Sequence, residues 1–515
     1  MASLADFQKH HPLTRYEHYR GYVDRMMEGE ERVITGKTPT SYLRTTGTTG
    51  KPKYIPHTSK SEFLGKAGIA MFITLRCNHP GIGSLKKTMY IYVAPKVSQA
   101  KSGALIETIG RLPTENGLFF SSYTSPIEAF KIHTGYEANY IHLLFGMRDR
   151  DIRMIMSGFV SVLLSALKQL KLCWREIVQD MENGTINSKL HLPTEIRSGL
   201  SEAFGDGDPK RARELRREFE KGFTGIVNRI WPSLQVVFAI DSTGVWPKVD
   251  GSFSQGVPLF TSGFGCTEGF LGANLGPKLS DVDGIIPLPS VVVSEFIRYE
   301  DVDEEQPRTY LMDELTQNEC YEVVLTNGYS GLYRYRLGDV FRVAGFYHNS
   351  PILKFMFRIG QILNLKYEKM DQKVLDASIR AAVARWSWCE SLTDYAVAES
   401  TLLADDSSVF DPGEENPYYL IFLELETTSR SPSLTQNEKD KVDEELRNRN
   451  CDYDRLRGEG SISHPRIHLV RPGGFDALRD YVLQNTGATA NQYKTPRKLR
   501  TMAMVDVLKD HDEKN

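Results

Sequence analysis

The sequence predicts an α/β protein: a large N-terminal domain of mixed sheets and helices, followed by a smaller α+β C-terminal domain. Three observations carry this. At 515 residues the chain exceeds what one hydrophobic core normally supports. Up to residue 359, loops, helices and short apolar runs alternate in the order of layered α/β architectures. Over residues 360–515 the pattern changes to charged helices among short strands, which suits a separate unit.

The elements follow from local patterns. Tyr16, Tyr19, Tyr22, Val23 and Met26 recur at helical spacing within residues 14–31 and predict an amphipathic helix. Residues 59–74 open with Ser-Lys-Ser-Glu, a capped helix start, and Met89 to Ala94 form a compact β run. Residues 125–145 and 151–178 read as two long helices, the second with a broad apolar stripe from Ile152 to Leu167 that suits core packing. Residues 211–219 form a charged, solvated helix. Strands are expected at 234–241, 257–261, 291–297, 320–326 and 339–344. In the C-terminal part, helices are expected at 366–384 and 436–450, and strands at 395–399, 418–426 and 467–470. The acidic stretch 400–416 reads as a mobile surface loop.

Composition excludes several function classes. A formal net charge of −3 argues against a general nucleic-acid or membrane-surface binder. The 6 cysteines lack metal-ligand or framework spacing, which points to a reducing compartment. The N-terminus shows no apolar leader, and the longest apolar run, Met154 to Leu167, is too short to cross a bilayer. A cytoplasmic protein, taken as a monomer, is expected.

Three stretches carry the chemistry. Thr45-Thr-Gly-Thr-Thr-Gly-Lys-Pro-Lys53 combines hydroxyls, glycines that let backbone N–H groups converge, and two lysines. It reads as a phosphate cradle or as an ordinary polar turn, and Pro52 rules out a Walker A loop. Phe264-Gly-Cys-Thr-Glu268 follows a strand. It can offer a ring to a base and a carboxylate to magnesium, or it is a plain strand-end turn. In Tyr333-Arg-Tyr-Arg-Leu-Gly-Asp339 the alternation puts both arginines on one strand face. Asp339 suits a ribose diol; alternatively the arginines and Asp339 form an edge-strand salt network.

The order of these motifs, followed by Arg358, resembles adenylate-forming enzymes. The segments Tyr321 to Phe346 and Asn491-Gln-Tyr-Lys-Thr-Pro-Arg497 are similar to the Gretchen Hagen acyl acid amido synthetases, a likeness that covers nearly the whole chain. Leu143-Leu-Phe-Gly-Met-Arg148, Ile230-Trp-Pro232 and Arg471-Pro-Gly-Gly-Phe-Asp476 fit the same family. The resemblance implies an adenylate-forming fold with a small domain that rotates over the active site. It also implies an ATP-dependent ligase that adenylates a carboxylic acid and transfers the acyl group to an amine, expected to be an amino acid, releasing AMP and pyrophosphate.

Site residues then carry over. Thr45, Thr46, Gly47, Thr48, Thr49, Gly50 and Lys51 would wrap the ATP phosphates. Phe264, Gly265 and Thr267 would flank the nucleotide, and Glu268 would hold Mg2+. Asp339 would bind the ribose, Arg358 would serve as a hinge arginine that reaches the nucleotide, and Lys494 would swing in for adenylation. Lys369 matches a family lysine at the start of the small domain. Tyr123, Tyr140, Phe145, Arg148 and Trp246 are candidates for the acyl pocket, with plain packing as the alternative. The resemblance has departures: Thr45 and Thr46 stand where serines are usual, the loop arrives early, and Asp241-Ser-Thr-Gly-Val-Trp246 differs from the plant pattern. Neither auxin nor jasmonate is therefore carried over as the substrate. An acyl-CoA ligase and a non-catalytic interaction protein remain the competing expectations.

Overall fold

The computed structural model describes residues 4–45, 53–82, 88–112, 117–241, 246–359, 363–366, 368–403, 416–427, 434–486, 488 and 493–512. The chain starts with α1 (Leu4–His10) and α2 (Tyr16–Met27). The latter buries Tyr16, Tyr19, Val23 and Met26 as the spacing predicts, but Tyr22, counted in the same stripe, is exposed. A hairpin of β1 (Ser41–Arg44) and β2 (Tyr54–His57) follows, then α3 (Lys60–Asn78), whose Ser59 makes no side-chain cap. With β4 (Ser98–Gln99) and β5 (Leu105–Glu107) the hairpin forms a small sheet in the order β2-β1-β5-β4.

A parallel sheet in the order β3-β6-β7-β8 forms the second layer, from β3 (Thr88–Ile91), β6 (Met154–Phe159), β7 (Val236–Ile240) and β8 (Leu259–Phe260). Helices α4 (Gly135–Arg148), α5 (Val160–Asn183), α6 (Thr194–Phe204), α7 (Pro209–Glu220) and α8 (Ile226–Ile230) share one core with it. Two expectations fail here. Residues 151–178 are not one helix: Met154 to Phe159 is a strand paired with both β3 and β7, and α5 begins at Val160. Ile155 and Ser157 alternate with half-buried Met154 and Met156, so the same apolar residues satisfy period 2 as well as a helical stripe. Residues 125–145 also divide, into a 3-10 turn at Ile127–Lys131 and then α4; extended backbone at Ile132 and Thr134 separates the two.

The third layer is an antiparallel sheet in the order β12-β13-β14-β15-β11-β10-β9. Its strands are β9 (Gly263–Gly265), β10 (Phe270–Asn274), β11 (Ile285–Pro287), β12 (Val293–Arg298), β13 (Cys320–Asn327), β14 (Leu332–Tyr347) and β15 (Ser350–Arg358). Short α9 (Trp246–Val249) lies between β7 and β8 in sequence.

Residues from 363 onward build cores of their own. A sheet of β16 (Cys389–Glu399), β17 (Tyr419–Thr427) and β18 (Arg466–Val470) runs in the order β16-β17-β18. One face packs against α10 (Gln372–Val383), α11 (Gln436–Arg449) and α12 (Cys451–Gly458); the other packs against α13 (Gly474–Asn485) and α14 (Met502–Lys509). The expected loop at 400–416 lies mostly outside the described residues; Ser400–Leu403 is a 3-10 turn. No described helix is long and apolar enough to cross a membrane.

Candidate active site

The site is built first from the pairing of β14 and β15. Asp339 and Arg358 stand opposite each other in register. Arg358 grips the carboxylate with two donors, Nε to Oδ1 at 2.5 Å and Nη2 to Oδ2 at 2.7 Å. This two-pronged geometry is the strong form of the ion pair. Asp339 is fully buried, whereas the arginine side chain keeps 37% of its surface open. Burial by itself would weaken the arginine's proton affinity, but the Asp339 charge more than reverses this and raises it. Gly338, at φ +79°, takes a backbone turn that a side chain would resist and delivers the chain to Asp339.

The turn between β9 and β10 brings Glu268 to the same region. The residue is buried, and its Oε1 accepts the Tyr335 hydroxyl at 3.4 Å. Asn327 holds its carbonyl at 2.9 Å. Lys53 in turn donates to the Tyr335 hydroxyl at 3.2 Å, and its ammonium lies over the Tyr16 ring. Thr45 closes the hairpin base, its N–H donating to the Lys53 carbonyl at 3.0 Å. Thus the two ends of the threonine-glycine stretch are tied, through Tyr335, to the carboxylate that sequence assigns to magnesium. Thr46, Gly47, Thr48, Thr49, Gly50 and Lys51 lie outside the described residues.

Phe264 stacks on Phe355 with ring centroids 5.5 Å apart and meets the edge of Phe341. Gly265 is exposed, and a Cβ there would come within 3.0 Å of the Phe270 ring. The Thr267 carbonyl lies 3.4 Å from Nε2 of His57. Between them, Cys266 is held as a neutral thiol. Burial raises its pKa well above the usual range, and the charges of Glu268 and Asp339 add to that.

Lys494 reaches this region from the C-terminal unit. The segment that follows it is fixed. Thr495 donates to Oδ2 of Asp394 at 2.8 Å; Arg497 pairs with the same carboxylate and lies over the Tyr395 ring. Residues 497–499 then bond to Val397 along the edge of β16. This anchorage accounts for the Thr-Pro-Arg that follows the lysine. The Lys494 ammonium lies 4.6 Å from the centre of the Phe159 ring. The residue as a whole is exposed, with its charged end against that ring. Desolvation pushes its pKa down to about 8, the Arg358 charge pushes the same way, and Asp339 opposes both.

Other predicted residues stand elsewhere. Lys369, at φ +40°, has its ammonium 3.4 Å from Asp303, with both groups exposed. Tyr140 is fully buried and donates to Asp180 at 2.7 Å. Phe145 packs edge-on against Phe204, and Arg148 donates to the Phe204 and Asp206 carbonyls. Tyr140 and Phe145 are buried in the helical layer, and Arg148 is half-buried at the end of α4. Tyr123 is half-buried against Tyr90 and Phe130, and burial pushes its hydroxyl up to about 12. Trp246 is half-buried against the same core, its backbone N–H donating to Oδ2 of Asp241 at 3.0 Å. Arg334 and Arg336 are structural: each is buried against its own carboxylate, Glu295 and Glu322. Phe159, Tyr335, Lys53 and Asp394 were not singled out by sequence reasoning as site residues. Only Lys53 had a signal, as the second cation of Lys-Pro-Lys.

Comparisons with known proteins give the family and the fold. The GH3 family N-terminal domain matches residues 1–249, the central domain 285–358 and the C-terminal domain 377–502. The chain belongs to the GH3 family. Among its relatives is a probable indole-3-acetic acid-amido synthetase, GH3.11, of Oryza sativa subsp. japonica. It is 27% identical, with 98% of this chain and 88% of the relative aligned. A 4-substituted benzoates-glutamate ligase, GH3.12, of Arabidopsis thaliana is 28% identical over the same shares. The solved GH3.15 acyl acid amido synthetase superposes with a TM-score of 0.84 at 24% identity, covering 99% of this chain and 88% of that one. This GH3 protein therefore has the mixed α/β fold of that structure, with Asp339 and Arg358 in or at the central-domain match and Lys494 in the C-terminal one.

Proposed function

We propose that this GH3 protein activates a carboxylic acid with ATP and passes the acyl group to an amine, an amino acid first among the candidates. The products are an amide, AMP and pyrophosphate. The observation that carries this reading is the meeting of Lys494, from one unit, with the Asp339–Arg358 pair of the other. A buried anion, a cation bound to it and a second cation from the other unit form a polarised cleft suited to a nucleotide. Amide formation by named relatives supports the same reading.

The proposed roles are these. Asp339 keeps lone pairs beyond those that Arg358 uses and accepts the ribose hydroxyls. The 45–51 loop holds the phosphates. Lys494 and Arg358 stabilise charge as the acid's carboxylate attacks the α-phosphate and pyrophosphate leaves. Among the described residues no three His, Cys, Asp or Glu side chains form a metal group, so magnesium would rest on Glu268 and phosphate oxygens. When bound, that ion would neutralise phosphate charge. Residues 1–359 form the large domain and 360–515 the small one, which rotates after the first step to admit the amine and exclude water. Lys369, held at Asp303 in this structure, then takes part in the second arrangement. Tyr123 and Trp246 flank the acyl group. The protein acts as a cytoplasmic monomer, without a nucleic-acid or membrane partner.

Acid-dependent exchange of labelled pyrophosphate into ATP, across a panel of carboxylic acids, tests the first step. Product mass after adding amino acids, other amines and coenzyme A tests the second. Exchange with at least one acid and an amide product are expected; a thioester would replace this reading with an acyl-CoA ligase.

A further inference from the structure

Phe159 occupies an unusual place. It ends β6 at the carboxyl edge of the parallel sheet and is the residue from which α5 departs. There the pairing with β7 shifts register between Met156 and Phe159, which faces Ile240. The Ser157 hydroxyl donates to the Phe159 carbonyl at 2.7 Å and fixes this bend. The ring is therefore only half-buried, unlike Ile155 and Val160 beside it, which are fully buried. Over it lies the ammonium of Lys494, 4.6 Å from the ring centre, well inside cation–π range.

We propose that Phe159 is a positioning residue for Lys494: its ring seats the ammonium beside the Asp339–Arg358 pair during acid activation and releases it when the small domain turns. This rests on the function proposed above. The charged groups acting on Lys494 are Arg358, which repels it, and Asp339, which attracts it. With repulsion and desolvation both acting against the cation, a neutral ring that prefers the charged form is the partner that holds it without adding an anion that ATP would have to displace. The seat belongs to the first step alone, because the lysine leaves it on rotation.

The test compares Phe159→Leu with Phe159→Tyr. In Phe159→Leu, the kcat of acid-dependent exchange falls about threefold to thirtyfold, the range of one cation–π contact. It falls relative to aminolysis of chemically made acyl adenylate by the same variant, while Phe159→Tyr restores it. A readout without substrate is the titration of Lys494 itself, followed by 13C-dimethyl NMR of the whole protein and assigned with Lys494→Arg. Loss of the ring lowers the pKa of Lys494 further. Equal loss in both half-reactions, no recovery in Phe159→Tyr, or an unmoved titration would overturn the proposal. Absence of exchange in the unaltered protein would instead defeat the reading on which it rests.

Discussion

Arg334 and Arg336 on β14 and Arg358 on β15 lie within one antiparallel pair of strands, yet they are held differently. Arg336 is sealed: its side chain is 1% exposed, it pairs with Glu322, and its other donors reach the Val302 and Glu304 carbonyls. Arg334 pairs with Glu295 and also binds the carbonyls of Gln8 and His11, which ties the N-terminal helix to the sheet. Arg358, by contrast, directs two donors to Asp339 and leaves over a third of its side chain open to a cleft entered by Lys494. A cation whose donors all end on protein is part of the fold. One that is held on a single buried anion and left open on another side is available to a ligand.

Breaking the sealed pair has the largest expected effect. Glu322→Gln leaves Arg336 buried with a neutral partner and costs about 3–5 kcal/mol of stability, the usual penalty for half of a buried ion pair. Urea denaturation checks this, and an unchanged midpoint would show that the pair is dispensable.

The open cations should behave in the opposite way. Lys494→Ala removes an exposed residue's side chain, so its melting temperature stays near that of the parent, while acid-dependent exchange falls by about 10²–10³, the range for one preorganised electrostatic group. Glu268→Ala should lose a similar factor, measured at saturating magnesium.

These contrasts also show what the sequence could reveal. Alternation in Tyr333 to Arg336 placed both arginines on one face, but the carboxylates that seal them, Glu295 and Glu322, are distant in sequence and carry no local signature. Asp339 and Arg358 were legible only through the resemblance of their motifs to adenylate-forming enzymes; their pairing across β14 and β15 has no signature in either motif. Phe159 was hidden for another reason. Its strand lies in an apolar run whose residues also fit a helical stripe, so the bend that exposes the ring was read as the middle of a helix. For Tyr140 and Phe145 the sequence offers an acyl pocket or plain packing, and burial in the helical layer favours the second.

Protonation gives a smaller effect. Lys494, at about 8 rather than 10.5, must carry its proton to stabilise the leaving phosphate. Activity is present below that pKa and lost as pH rises through it. Thus kcat/KM for ATP in the exchange reaction, which reports the free enzyme, should fall on the alkaline side from about pH 8. A lysine in open solvent would hold the rate to near pH 10.5. Lys494→Arg should move that limb out of range. The smallest effect belongs to Lys369→Ala. Its exposed contact with Asp303 is worth roughly 0–1 kcal/mol, so stability and exchange should stay within about twofold. Any larger loss should appear only in amide formation.

The most direct measurement of the central claim is acid-dependent ATP–pyrophosphate exchange by the intact protein and by Lys494→Ala, run beside aminolysis of supplied acyl adenylate. The account predicts exchange in the first, its collapse in the second, and aminolysis in both. Exchange that survives the loss of Lys494 would contradict it.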